Sequence, residues 1–256
     1  MTTGQLIYYR DLLWVLVAKE FKIRYKSTLL GYAWSALNPL AFALVFFLVF
    51  RVVMRLEMEN YALVLITGLF PWQWFSNSVV AANGFLLGNG TLIRKVRFPR
   101  QFLVLAGVLN DKVHFLISIP IILGFMLYHG LHPSWTWLWA VPALAALQLA
   151  LTYGAALIVS TVNLFFRDCE RLTGVAMMLW FYLTPVIYPV KMIPEKYRAL
   201  LYVNPMAGLI VSWRTLFMEG TVPPDMLLSA AGWAAALWLA GSLVFRSAEG
   251  RFAEVV

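Results

Sequence analysis

The sequence predicts an all-α membrane protein with six transmembrane helices, on three grounds. Of its 256 residues, 62% are hydrophobic and 12% charged, with a mean hydropathy of +0.77, whereas soluble domains carry about twice that charge. Asp, Glu, Lys and Arg are missing from residues 27–50, 60–93, 113–166, 172–190 and 226–245. The Lys and Arg that remain crowd into alternate loops, which gives an orientation as well as a class.

A spanning helix needs about 20 apolar residues, because a rise of about 1.5 Å each must cross about 30 Å of hydrocarbon. Four charge-free stretches hold one span each. The longest must be divided, and its polar, breaker-rich turn is Tyr128-His129-Gly130-Leu131-His132-Pro133-Ser134. The expected spans are 33–54, 61–83, 107–128, 137–166, 172–190 and 226–245, within a single domain covering 1–256. Barrel strands would instead alternate over about 10 residues. No cleavable leader is expected, since mixed, charged residues precede the first apolar run. The lone Cys169 excludes a disulfide framework and a cysteine-rich metal site. With the N-terminus inside, 14 Lys and Arg face the cytoplasm and 6 face outward, so both termini are expected in the cytoplasm. The net charge of +8 then reflects topology, and nucleic acid is not an expected partner.

Four segments carry more pattern than spacers need. Residues 1–30 predict an amphipathic helix in the headgroup layer, with Lys19, Lys22 and Lys26 on one face beside Asp11. In the loop after span two, Gly88 to Gly90 ends the helix, and Leu92, Ile93 and Val96 share an apolar face while Arg94, Lys95 and Arg97 point away. Phe98-Pro99 stops that short helix before Arg100, so it reads as a docking element as well as a positive-inside loop. In Asn163-Leu164-Phe165-Phe166-Arg167-Asp168-Cys169-Glu170-Arg171, two acids and two arginines either neutralise one another or meet a partner. Residues 191–222 hold Pro194 at a first helical turn, Asn204-Pro205 as a helix start, the stripe Met206, Leu209, Ile210, Trp213, Leu216 and Phe217, and Gly220 as a cap. Fifteen residues from Pro205 reach about 22 Å, too short to span, so re-entrant or interfacial helices on the outer face are expected.

The catalytic and nucleotide-binding motifs are missing. No Gly-Lys pair occurs, which excludes a P-loop, and there is no His-Glu-x-x-His; no catalytic residue and no metal site is expected. Asp111, Lys112 and His114 near the inner end of span three could mark an ion path or simply pair at the membrane edge. Trp34, Trp72, Trp74, Trp135 and Trp137 read as interface anchors. In span five, Trp180, Phe181, Tyr182 and Tyr188 accompany Thr184 and Pro185; such aromatic faces suit sliding sugar rings, or ordinary packing.

The order of these pieces resembles the ABC-2 type permeases that export polysaccharides, namely the O-antigen, capsule and teichoic-acid exporters, and is most similar to the O-antigen type. The residues that carry the resemblance are Tyr25-Lys26-Ser27 through Leu29-Leu30-Gly31-Tyr32-Ala33-Trp34, Asn38-Pro39-Leu40, Gly68-Leu69-Phe70-Pro71-Trp72 and Phe75-Ser76-Asn77. It continues through Ile93 to Arg100, Asn163 to Asp168, Thr184-Pro185-Val186-Ile187-Tyr188-Pro189, Asn204-Pro205-Met206 and Arg251-Phe252-Ala253-Glu254-Val255.

The resemblance implies a non-enzymatic membrane subunit that pairs with a second copy of itself and with two ATPase subunits. ATP and magnesium would be bound by those partners and no cofactor by this chain. Ile93, Arg94, Lys95, Val96, Arg97, Phe98, Pro99 and Arg100 would form the ATPase-coupling helix, supported by Arg167 and Asp168. Trp34, Trp180, Tyr182 and Tyr188 would line a channel, and Pro194, Asn204, Pro205, Trp213 and Arg214 would belong to its outer gate. Arg10, Lys19 and Lys22 would attract the headgroup of an undecaprenyl-type lipid-linked polysaccharide in the bacterial inner membrane. Two alternatives stay open: an ion-coupled secondary transporter using Asp111, and an ABC-2 exporter of a different substrate.

Overall fold

The computed structural model describes residues 3–25, 31–53, 55, 58 and 60–256; Lys26, Ser27, Leu29, Leu30 and Met54, invoked above, lie outside them. Among the described residues there is no strand. The helices are α1 (Thr3–Tyr25), α2 (Trp34–Phe47), α3 (Tyr61–Phe85), α4 (Gly90–Lys95), α5 (Gln101–Tyr128), α6 (Trp137–Phe165), α7 (Cys169–Leu183), α8 (Leu200–Val203), α9 (Ala207–Glu219), α10 (Pro224–Ala248) and α11 (Phe252–Val255). α5, α6 and the run Pro224–Val255 are each long and apolar enough to cross a membrane.

α3 is the axis of the bundle. It packs on α2, α5, α6, α7 and α9, and most of its residues from Tyr61 to Phe75 are buried. A helix enclosed by protein can carry polar groups that lipid would penalise, and each needs a partner. Gln148 of α6 supplies one: its amide donates to the Pro71 carbonyl at 2.8 Å and accepts from Trp213 Nε1 of α9 at 2.7 Å. Around it runs a continuous file of rings, Trp74–Phe115–Trp213–Phe217–Trp137, with centroids 5.0–5.4 Å apart. Each such pair adds about 0.5–1.5 kcal/mol beyond area burial, so this file joins α3, α5, α6 and α9 into one core.

α6 and α10 make the closest helix pair. A Cβ on Gly154 would overlap the Leu237 carbonyl, and one on Gly241 would overlap the Gly154 carbonyl, so two missing side chains let the backbones touch. α1 lies along the first half of α5, with Leu16 buried and Tyr9 edge-on to Phe102 at 5.6 Å.

Two expected spans are interrupted. The first is α-helical only to Phe47 and continues as a π-helical segment, Leu48–Val53. The fifth, expected over 172–190, ends at Leu183, and fifteen residues of helix reach about 22 Å, short of the hydrocarbon thickness. Pro185 is the cause: it excludes helical backbone from the residue before it, and Thr184 is extended at φ −99°, ψ 139°. The following Thr184 to Ile187 stay buried although they are not helical.

Candidate functional site

Three places collect the residues that the sequence singled out. At the end of the bundle that carries the C-terminus, α4 runs from Gly90 to Lys95 and stops, with Val96 extended at φ −125°, ψ 136°. The expected helix over Ile93–Arg100 is therefore helical only to Lys95 and continues as a non-helical strap, in which Pro99 restricts Phe98, the residue before it, away from helical backbone. Ile93 is buried as its pattern required, but Val96 is 45% exposed and does not share its face. Arg94, Lys95 and Arg97 are exposed, while Arg100 donates to the Glu249 carbonyl. Phe252 is fully buried, edge-on to Phe245 at 5.0 Å and against Phe165, and Arg251 lies 5.1 Å over the Phe165 ring. A cavity of about 650 Å³ opens between the strap and the end of α10.

The Lys19 ammonium donates to Asn89 Oδ1, and Asn89 in turn holds the Phe85 carbonyl at 2.8 Å, so Lys19 ties α1 to the turn before α4. Arg10 pairs with adjacent Asp11 at 2.8 Å in the open, a contact worth little, and Lys22 is exposed. Arg167 and Asp168 are exposed at the α6–α7 turn, and among the described residues they form no close ion pair with each other or with Glu170 and Arg171. Asn163 is buried there. It donates to the Asn83 carbonyl at 2.9 Å and accepts the Glu170 N–H at 3.1 Å, fastening the start of α7 to α3. Asp111, also buried, accepts from Ser78 at 2.8 Å.

A second cavity, of about 540 Å³, lies between α2, α3 and α7. Phe42 and Phe46, Trp72 and Phe181 give it aromatic walls, and Asn38, Gln73, Ser76 and Asn77 give it amide and hydroxyl groups. Of the four aromatic residues expected to line a channel, Tyr182 lies on it. Trp180 turns toward Phe75 and donates to Asn204 Oδ1 at 2.9 Å; Tyr188 donates to the Tyr182 carbonyl at 3.0 Å; Trp34 is exposed outside the cavity. The lining residues missed from sequence have a visible signal: Phe42 and Phe46, and Gln73 and Asn77, are each four apart and so share a helix face.

The opposite end is organised by Asn204 and Arg214. Asn204 Oδ1 also accepts the Met206 N–H at 3.0 Å, and its amide donates to Thr184 Oγ1 at 3.0 Å. The helix after it begins at Ala207, with Pro205 in the turn ahead. Pro194 is exposed before a single helical turn, Glu195–Tyr197. Gly220 adopts φ 71° and closes α9 as expected, receiving the Ser134 hydroxyl on its carbonyl at 2.9 Å. α9 itself is buried on nearly every side, Trp213 completely, so it is a core element. Arg214 is 6% exposed and donates to the carbonyls of Val186 (2.6 Å), Tyr188 (3.1 Å) and Val64 (3.3 Å). Its guanidinium pins the non-helical segment after α7 against α3. Gly68 makes room: a Cβ there would lie 2.5 Å from the Val186 oxygen and 2.8 Å from Arg214 Nη2.

Residues 11–218 match the family model described as ABC-2 type transporter. The chain is 43% identical to an O-antigen export system permease protein of Klebsiella pneumoniae over 249 residues, covering 97% of this chain and 96% of the relative. It is 36% identical to the protein of the same name in Myxococcus xanthus over 255 residues, 98% of each chain. A polysialic acid transport protein of Escherichia coli is 23% identical over 225 residues, 84% of each.

Proposed function

This chain belongs to the ABC-2 type transporter family, and on that premise we propose that it is the transmembrane subunit of an ATP-driven exporter of O-antigen-like polysaccharide. The observation that carries this is the likeness, along 97% of the chain, to a permease named for O-antigen export. The subunit spans the bacterial cytoplasmic membrane six times with both termini inside, and works as a pair of identical chains over two ATPase subunits that bind ATP and magnesium. Its substrate is a polymer on an undecaprenyl-type lipid.

The work of this chain is mechanical. Arg94 to Arg100, with Arg167 and Asp168, receive the movement of the ATPase. Pro99 stiffens the strap, so a push on α4 reaches α5 directly, while Phe252 and the Arg100–Glu249 contact carry it to α6 and α10. The α2–α3–α7 cavity is half of a passage that the second copy completes; ring faces stack on sugar C–H surfaces, and Gln73, Ser76 and Asn77 exchange hydrogen bonds with successive hydroxyls. At the outer end, residues 191–222 form the gate, in which Arg214 holds the Val186 and Tyr188 carbonyls of the segment before it.

The test is Phe98→Glu combined with Arg94→Ala. Export of the lipid-linked polymer should be abolished while the protein remains inserted at parental levels. Unchanged export removes the coupling role.

A further inference from the structure

The cavity beside α4 has a composition that coupling through a single helix does not require. Arg94, Lys95, Arg97, Arg100 and Arg246 line it, against one carboxylate, Glu249. Among the described residues none of these five cations has an ion-pair partner. A positive-inside bias places cations in a loop, but it does not gather them around a shared hollow, and close like charges repel unless something anionic fills the space between them.

The hollow is built rather than incidental. Its far wall is the C-terminal segment, which holds the Arg251-Phe252-Ala253-Glu254-Val255 stretch of the family resemblance and to which the proposed coupling gives no contact with the ATPase. Phe252 is sunk completely between Phe245 and Phe165. Val256 packs on Gly90, where any Cβ would overlap it, so the end of the chain rests on the first residue of α4. Arg100 grips the Glu249 carbonyl from the other side. The two walls are thus fixed relative to each other, and Arg246 faces Arg94 to Arg97 across a space of about 650 Å³.

We propose that this groove receives an acidic segment of the ATPase subunit, so that docking is reciprocal: the permease offers a basic socket with the C-terminal segment as its second wall. The occupant is a polypeptide because apolar side chains are interleaved with the cations. Phe98 and Ala253 line the hollow and Val96 is 45% exposed on it, a mixture that suits carboxylates carried on an apolar helix face better than a bare phosphate. The proposal rests on the ATP-driven function above but is separable from it, since that function requires only that α4 and its strap meet the ATPase.

The experiment compares Arg246→Glu, Phe98→Glu and, at the opposite end of the molecule, Lys196→Glu in the purified full-length permease, titrated with its own ATPase subunit at low and high salt. Arg246→Glu should weaken the complex by about tenfold or more and flatten its salt dependence, as loss of a charge at a complementary interface does. Lys196→Glu should change neither. If Phe98→Glu disrupts the complex and Arg246→Glu leaves it intact, the socket is refuted and coupling through α4 stands. If neither variant matters, both fall. If Arg246→Glu leaves ATPase affinity unchanged but abolishes export, the groove holds a non-protein anion such as a lipid pyrophosphate, and the proposal is overturned.

Discussion

Replacing Arg214 by Met keeps an apolar stem of similar reach and removes the guanidinium. The Val64 carbonyl loses little, because it lies within α3 and also accepts the Thr67 hydroxyl at 3.1 Å. The carbonyls of Val186 and Tyr188 belong to the non-helical segment, and each buried carbonyl left without a donor costs about 1–3 kcal/mol, or about 2–6 kcal/mol for the two. Against this stands the desolvation of a buried cation that has no carboxylate among its hydrogen-bond partners, itself several kcal/mol. The two terms are of similar size, so the thermal midpoint of Arg214→Met should move little in either direction. The anchoring of residues 184–190 should nevertheless be lost, since their contacts go while the helices keep theirs. Even the low end of that range raises the open population about thirtyfold, tenfold for each 1.4 kcal/mol. The assay is maleimide labelling of Val186→Cys, a position with no exposed area, in a Cys169→Ser background. Labelling should be fast with Met at 214 and slow with Arg. Equal protection in both would show that the guanidinium does not hold this segment, and the gate reading of Arg214 would go with it.

Gly241→Val should drive α6 and α10 apart, because the first added carbon already overlaps the Gly154 carbonyl and the neighbour is backbone that cannot swing away. Overpacking costs about 1–3 kcal/mol, to be read as a lowered thermal midpoint in detergent, whereas Gly232→Ala, in open space on the same helix, should leave it unchanged. The link between Tyr202 and Asp225, 2.5 Å long, should show a pH window. The phenol's hydrogen bond holds the Asp225 carboxyl below its usual 3.8, and the same bond holds the Tyr202 hydroxyl above its usual 10.0. The contribution is therefore complete between those limits, lost in acid as the pH falls through the lowered carboxyl value, and lost in alkali as it rises through the raised phenol value. Both groups are close to water, so the effect is small. Thermal midpoints of parent and Tyr202→Phe should differ by a constant amount between about pH 5 and 9 and converge outside it; a difference that does not shrink as the pH falls below 3.8 would contradict the assignment.

The helices were legible where one solvent surrounds them. α10 follows from charge-free length, and α5 and α6 from the charge-free residues 113–166 once their polar turn is recognised, because lipid penalises every unpaired polar group along a span and so writes its boundaries into composition. α7 did not follow, because 172–190 is charge-free for its whole length while its last third is not helical. Burial against α3 and α9 replaces lipid there, and Thr184-Pro185 then decides the backbone. Two prolines in that stretch were the available sign, and hydropathy overruled them. Val96 failed for a related reason: periodicity placed it with Ile93, but a six-residue helix has little propagation energy with which to hold a β-branched residue three positions before a proline.

Site residues separate along the same line. Exposed cations such as Arg94 and Arg97 keep the place that spacing gave them, since nothing competes for their charge. Polar residues that reach into the bundle do not, because each is captured by whichever hydrogen-bonding group lies within reach. Lys19 goes to Asn89, Asn163 to the start of α7, and Trp180 to Asn204. Those partners come from elements 24 to 70 residues away or from a helix start that exists only once the chain has turned, so no local pattern encodes them. The same capture explains Arg214. Two of its three partners, the Val186 and Tyr188 carbonyls, are free only because Pro185 has broken a helix 29 positions earlier in the sequence. The break in α7 and the buried arginine are linked: the arginine supplies donors to carbonyls that the break leaves without helical partners, and those carbonyls give the buried guanidinium its acceptors.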